Sequence, residues 1–501
     1  MASEICPPAG VIDIGSNTAR LVVYNWRSPY DLLPIAEVKT VLRLDRELGE
    51  ERRMSRQASD RMEETLVDYL SVVRGTGARH TIAVATAAVR DAVNGREIAD
   101  ELSRSLGITI RVLTGQEEAS LAFAGSVYAL PVTDGMLCDV GGGSMEVSQF
   151  KDRKLERWWS MPLGGLRLAD RFLKSDPPSS GEVERLVEHL LETFESAELP
   201  AMGLAGGWLI CTGGSVRNMA KIDRRGRSTR INRLHGYEIK AKKVSELTRQ
   251  LCVSPSGERR HIKGLNPERT DSIAGGALAI RTLVDYLGAS GVTVSGRGLR
   301  EGLLLEYFGA EVPSIPHIRN ESITSFAARF TTWNETRAKR RHDICTALAR
   351  ALDIAGGSEM VDLVGYAALL LDSGSSIDFY NRCDHAATLI EEGDLSGFTH
   401  REIALMAAIS RGRDKSSVNG TMHYPLEEGD AQLVRQAGTV LAIGDEVEMR
   451  TPDGQSEEPG IRITGQKLIV SGADLGAWKA GPLANRVREE FGRELVIKAP
   501  A

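Results

Sequence analysis

A chain of 501 residues with 42% hydrophobic and 26% charged content is long enough to divide into roughly three or four globular domains. Its net charge of −6 argues against general nucleic-acid binding. Six scattered cysteines (Cys6, Cys138, Cys211, Cys252, Cys345, Cys383) without C-x-x-C spacing suggest neither a disulfide framework nor a zinc site. No run approaches the roughly 18 apolar residues of a membrane helix, and no basic-then-apolar leader opens the chain, so a cytoplasmic protein with no membrane partner is expected.

In chain order, residues 11–23 read as strand, turn and strand, with Asp13, Gly15, Ser16, Asn17 and Thr18 at the turn. Residues 55–74 carry Met62, Leu66, Tyr69, Leu70 and Val73 at helical spacing, and a buried strand over 81–85 follows. Arg90 then emerges just past a strand's carboxyl end, where α/β sheets hold ligands; a surface ion pair would suit it equally. A helix over 97–106 and a strand over 108–113 lead to Thr114 and Glu117, the spacing of a capping box. Glu118 is left over, as a helix-dipole partner or as a general base facing a cleft.

The central stretch, Cys138 to Val147, predicts a second hairpin with three consecutive glycines, Gly141, Gly142 and Gly143, followed by Ser144. Glycines let the backbone approach a ligand with N–H groups facing phosphate oxygens. Asp139 and Glu146 flank the turn as hard oxygen ligands suited to Mg²⁺. A lone glycine hairpin beside an aspartate is usually an ordinary turn. Here the device occurs twice, with Arg20 seven residues after Asp13 and Glu146 seven after Asp139, which predicts two similar halves facing one cleft.

Two further strands run into glycine turns, Thr212-Gly213-Gly214-Ser215 and Ser295-Gly296-Arg297-Gly298, able to cradle phosphate or lie under a nucleoside. Between them lie basic runs, Lys221 to Arg233 and Arg259 to Lys263 followed by Arg269, readable as solvated loops or as a track for a polyanion. Phe308 to Pro316 reads as a linker. Helical spacing dominates from about Ser322, and strands return from about Glu446 around a helix over 483–491.

These segments, with Gly115-Gln116-Glu117-Glu118-Ala119 and Leu299-Arg300-Glu301-Gly302, together resemble the exopolyphosphatase/guanosine pentaphosphate phosphohydrolase family over residues 9–310. The resemblance implies an α/β fold of two RNase H-like, actin-type domains around a cleft (1–130 and 131–312). An all-α HD-like domain (320–445) and a small α/β domain (446–501) would follow. It implies Glu118 as the base that activates water, Asp139 and Glu146 as Mg²⁺ carboxylates, and Gly15 to Thr18, Gly141 to Ser144 and Gly213 to Ser215 as phosphate turns. Arg90 would neutralise the chain end, and Arg269 would contact phosphate.

The expected substrates are inorganic polyphosphate, with guanosine pentaphosphate close behind, and the expected assembly is a homodimer. In the HD-like segment the metal pair reads Leu371-Asp372, so a second metal centre is not expected and His342 and His385 are assigned to packing or phosphate contact. An actin-fold small-molecule kinase and a non-catalytic guanosine-phosphate sensor are the alternatives.

Overall fold

The computed structural model describes residues 6–48, 51–227, 229–414, 425–452, 459–472 and 474–499. They form two compact units, one reaching Ile318, the other running on from Arg319 and taking in the few residues just before Arg233.

In the first unit, β1 (Cys6–Ile14), β2 (Thr18–Trp26), β3 (Leu32–Val41), β4 (His80–Ala85) and β5 (Ile110–Val112) make a sheet of order β3-β2-β1-β4-β5. A second sheet comprises β6 (Gly135–Val140), β7 (Met145–Lys151), β8 (Lys154–Met161), β9 (Trp208–Thr212), β10 (Tyr237–Lys240) and β11 (Gly291–Val294), in the order β10-β11-β9-β6-β7-β8. In both, the first two strands are antiparallel and the fourth runs parallel to the first. The halves therefore repeat one topology, as the duplicated hairpins predict. The registers match as well: Asp13 lies opposite Arg20, and Asp139 opposite Glu146, and directly opposed residues share a sheet face.

Helix α1 (Arg56–Gly75) starts at Ser55, whose side chain accepts from Ala58 N, and buries the expected stripe from Met62 to Val73. Arg90 does not stand on a bare strand end but on a short helix, α2 (Ala87–Asp91), anchored by buried Ala87, Ala88 and Val89. After α3 (Gly95–Leu106) and β5, α4 (Gly115–Val127) opens with both bonds of the Thr114–Glu117 capping box. The second half contributes α5 (Gly165–Phe172), α6 (Gly214–Arg225) and α7 (Leu299–Tyr307).

Helix α7 leaves the second sheet yet buries Leu303, Leu304 and Leu305 among Val11, Val22, Tyr24 and Leu121 of the first half. It crosses α4 backbone to backbone. A Cβ on Gly125 would lie 1.9 Å from Gly298 O, and one on Gly302 would lie 2.0 Å from Leu121 O. Only hydrogen fits at this crossing, because real Cβ atoms do not approach below 3.0 Å.

The expected linker is shorter than read. α7 ends at Tyr307 and a helix over Ile315–Ala327 takes Pro316 into its first turn, where the missing N–H costs nothing. The second unit packs α8 (Glu335–Leu352), α9 (Gly357–Leu370), α10 (Arg382–Glu392), α11 (His400–Gly412) and α12 (Asp430–Met449), then β12 (Gly460–Thr464), β13 (Lys467–Ser471), α13 (Gly481–Phe491) and β14 (Glu494–Lys498). Helix α12 runs through position 446, so among the described residues strands return at Gly460. Leu468, Val470, Val487 and Leu495 join the same core as the helices.

A charged knot lies inside this unit. Arg341, fully buried, meets Asp372 (2.7 Å), Asp445 (3.0 Å) and Glu448 (3.3 Å). Arg382 also holds Asp372, at 2.9 Å. His342 pairs with its neighbour Asp343. Among the described residues, no helix is long and apolar enough to cross a membrane.

Candidate active site

The two aspartates one residue before the ends of β1 and β6, Asp13 and Asp139, open into one cleft of the first unit. Gly15 to Thr18 line one wall and Gly141 to Ser144 the other. Each turn is closed by the same bond, Gly15 N to Thr18 O (3.1 Å) and Gly141 N to Ser144 O (3.0 Å). The turns abut so closely that a Cβ on Gly143 would lie 2.6 Å from Ser16 Oγ. Gly213 and Gly214 complete the floor. Gly214 in turn admits Arg269, whose Cζ would lie 2.0 Å from a Cβ there.

Glu118, on the first turn of α4, lines the cleft and is 8% exposed. Arg90 Nη1 donates to its Oε2 at 2.6 Å and to Leu113 O at 3.2 Å. Burial pushes the Glu118 carboxyl up to about 7; Arg90 opposes the shift, while Asp139 and Asp13 add to it. Asp139 is raised to about 6 by burial and by Asp13, against the pull of Arg217, Arg300 and Arg269. Burial, then Glu118 and Asp139, drive Glu146 well above the ordinary carboxylate range. Such mutually raised acids mark functional clefts.

Three of the expected residues stand behind the wall rather than in it. Glu146 is 1% exposed and accepts from Ser160 Oγ at 3.0 Å. Arg90 spends its guanidinium on Glu118. Ser215 is buried, with its Oγ only 2.1 Å from where a Cβ on Gly276 would stand.

Asp13, Arg20, Arg217 and Arg300 line the cleft without having been assigned to it from the sequence. Arg20 shares the signal that marked Glu146, seven residues beyond its aspartate. Arg217 and Arg300 occupy the first turn of a helix that follows a glycine turn. Arg217 is lowered to about 10 by burial and by the guanidinium groups of Arg300, Arg20 and Arg269. Crowded cations around backbone N–H turns make a seat for a multiply charged anion. The basic runs divide: Lys221 lies within electrostatic reach of Arg217 and Arg20, whereas Arg259 is committed to Thr270 O and Asp176 as a fold anchor.

Ion pairs join the two sides of the cleft. Arg167 on α5 meets Asp45 at 2.5 Å and Asp91 at 3.2 Å. Arg46 makes two bonds to Asp170, both at 2.7 Å, and Lys39 bonds to Glu268.

Among the described residues, no three His, Cys, Asp or Glu side chains are arranged to hold a metal ion unaided. Asp13 and Asp139 nevertheless offer two half-buried carboxylates beside the phosphate turns. That donor set fits Mg²⁺, which keeps several waters and is typically held by one or two carboxylates plus phosphate oxygens.

The model of the Ppx/GppA phosphatase family matches residues 22–311, more than half of the chain, and that of the family's domain III matches residues 318–443. The chain belongs to the Ppx/GppA phosphatase family. Within it, the chain is 28% identical over 323 residues to Exopolyphosphatase 1 of Mycobacterium tuberculosis, covering 63% of this chain and 92% of that relative. It is 24% identical over 511 residues to the guanosine-5'-triphosphate,3'-diphosphate pyrophosphatase of Vibrio parahaemolyticus, covering 99% and 97%. An exopolyphosphatase structure from Cytophaga hutchinsonii superposes with a TM-score of 0.55 at 26% identity, covering 61% of this chain and all of that one. The Aquifex aeolicus PPX-GPPA enzyme superposes with a TM-score of 0.51 at 25% identity, covering 60% of this chain and 99% of that one. The paired sheets of the first unit are thus the actin-like fold of this family.

Proposed function

We propose that this chain hydrolyses the terminal phosphoanhydride bond of inorganic polyphosphate and releases orthophosphate. The observation that carries the reading is Glu118, a buried carboxylate of near-neutral pKa on the wall of a cleft lined by paired phosphate turns and four guanidinium groups. Phosphoryl transfer to water demands charge neutralisation, an in-line water and little covalent help. Glu118 takes a proton from water as the oxygen attacks the terminal phosphorus. The backbone N–H groups of Ser16 to Thr18 and Gly142 to Ser144 hold the phosphate oxygens, and Arg20, Arg217, Arg269 and Arg300 neutralise charge on the phosphates. Asp13 and Asp139 would hold Mg²⁺, which when bound supplies further neutralisation of phosphate oxygens.

A second reading, hydrolysis of guanosine pentaphosphate to the tetraphosphate, is favoured by one observation: the Vibrio parahaemolyticus relative aligns over 99% of this chain, second unit included. The second unit is read as an HD-like module without metal. Asp372, at its expected metal pair, is supported in that reading by two guanidinium partners, Arg341 and Arg382. The same proposal includes a homodimer in the cytoplasm; a single monomeric mass by light scattering at assay concentration would remove the dimer.

The experiment is phosphate release from long-chain polyphosphate and, in parallel, from guanosine pentaphosphate, with Mg²⁺, by wild type and Glu118→Gln. Release by wild type that the variant loses supports reaction and base together. Unchanged release in the variant overturns Glu118 as base, and no release from either substrate overturns the hydrolase.

A further inference from the structure

Arg300 is held differently from the other cleft cations. Arg20 pairs with the exposed Glu37, and Arg217 rests on a backbone carbonyl, Gly296 O, at 3.2 Å. Arg300 sits on the first turn of α7 with Asp13 Oδ2 in front of it, at 3.4 Å. Behind it lies a buried pair from opposite ends of the unit's chain. Tyr24, on β2 and 2% exposed, donates its hydroxyl hydrogen to Glu301 Oε1 at 2.6 Å and lies within electrostatic reach of Arg300. The other Glu301 oxygen accepts from Gly298 N at 2.7 Å, which pins the turn from which Arg300 projects.

The guanidinium is therefore pulled from two sides. Asp13 already pairs with it at 3.4 Å, and a closer contact would commit the guanidinium to Asp13 and remove a cation from any bound phosphate. Glu301, its carboxylate tied to the Tyr24 hydroxyl, attracts it from the other side. Arg300 Nε is buried without a hydrogen-bond partner, so the fork keeps a donor unspent, and buried donors are rarely left so.

We propose that Tyr24 and Glu301 are positioning residues that fix the turn from which Arg300 projects and keep its contact with Asp13 long, so that its guanidinium faces the phosphate chain. The proposal rests on the phosphohydrolase reading for its substrate, and its test separates the two. Neither residue touches the cleft: both act through Arg300.

A mere structural tie between β2 and α7 would also weaken the protein on mutation, so the readout is a double-mutant cycle. Tyr24→Phe, Arg300→Ala and the double variant are compared for kcat and KM on polyphosphate. Each is also compared, in a Glu118→Gln background that blocks turnover, for tripolyphosphate binding by calorimetry. Tyr24→Phe is expected to lower kcat/KM and to weaken tripolyphosphate binding by about tenfold. In the Arg300→Ala background the same change is expected to alter either quantity less than about twofold.

Equal losses in both backgrounds would overturn the proposal, because Tyr24 would then act independently of Arg300. Glu301→Gln, which keeps an acceptor for Gly298 N, is a second entry to the same cycle should Tyr24→Phe fold poorly. If wild type releases no phosphate, the hydrolase reading fails while the binding cycle still decides the positioning roles; if it binds no tripolyphosphate either, both fall.

Discussion

Arg90 Nη1 donates to Glu118 Oε2 across 2.6 Å, so the carboxylate read here as the base is steadied by a cation that does not itself line the cleft. Arg90 counteracts part of the rise that burial imposes on Glu118 and leaves it near the pH at which a base is both available and strong enough.

A pH profile follows from that pair. Glu118 accepts a proton only when ionised, so kcat/KM is expected to fall about tenfold per pH unit below about 7. Glu118→Gln is expected to lower kcat by about 10² to 10⁴ and to abolish this limb, with substrate binding retained. Rates measured from pH 5 to 9 check it. A profile flat down to pH 5 would sink the assignment.

Asp139 ties the cleft to stability. Its folded pKa near 6 lies above its ordinary 3.8, so the folded state binds the extra proton between those values. The stability this contributes is fully present below about pH 4 and is lost as pH rises through 6. Without Mg²⁺ at pH 8, Asp139→Asn is expected to melt higher than wild type, by on the order of a few degrees. Mg²⁺ is expected to raise the wild-type Tm and leave the variant's nearly unmoved. Equal Mg²⁺ responses in the two would remove Asp139 from the metal site.

Gly125→Ala tests the crossing of α4 and α7. The added methyl must displace Gly298 O, and overpacking of this kind costs about 1–3 kcal/mol or more. Because Glu118 and Arg300 stand at the starts of these helices, kcat is expected to drop further than the lost stability explains. Thermal melting and turnover on one preparation read both effects.

In the second unit, Arg341→Leu leaves Asp445 and Glu448 buried with one cation fewer. Removing one partner of such a knot costs about 3–5 kcal/mol, so that unit is expected to melt well below its wild-type temperature. Calorimetry reads it, and an unchanged melting profile would show the knot to be solvated.

Much of the first unit was legible because its signals are local and duplicated: two Asp-x-Gly hairpins, a capping box before Glu118 and glycine turns after β1, β6, β9 and β11. The C-terminal third showed its helices but not its boundary, since the apolar spacing of α12 continues past Glu446 and a shared core leaves no mark on composition. At the site, Gly15 to Thr18, Gly141 to Ser144 and Asp139 could be found because backbone turns and carboxylates have fixed spacings. Side-chain direction has no such trace. Glu146 and Asp139 look equivalent in sequence, yet one turns to Ser160 and the other to the cleft. Arg20, Arg217 and Arg300 converge only once two sheets fold against each other, and Tyr24 and Glu301 meet across 277 residues.

The crossing of α4 and α7 has one more consequence. The separation of Glu118 from Arg300 is stored there as missing matter, three residues without side chains, rather than as a contact that could be strengthened or weakened. Such a gauge works in one direction only. Any side chain at Gly125 or Gly302 forces the helices apart, and no substitution among natural residues brings them closer, so this family member already stands at the short limit of its own reach.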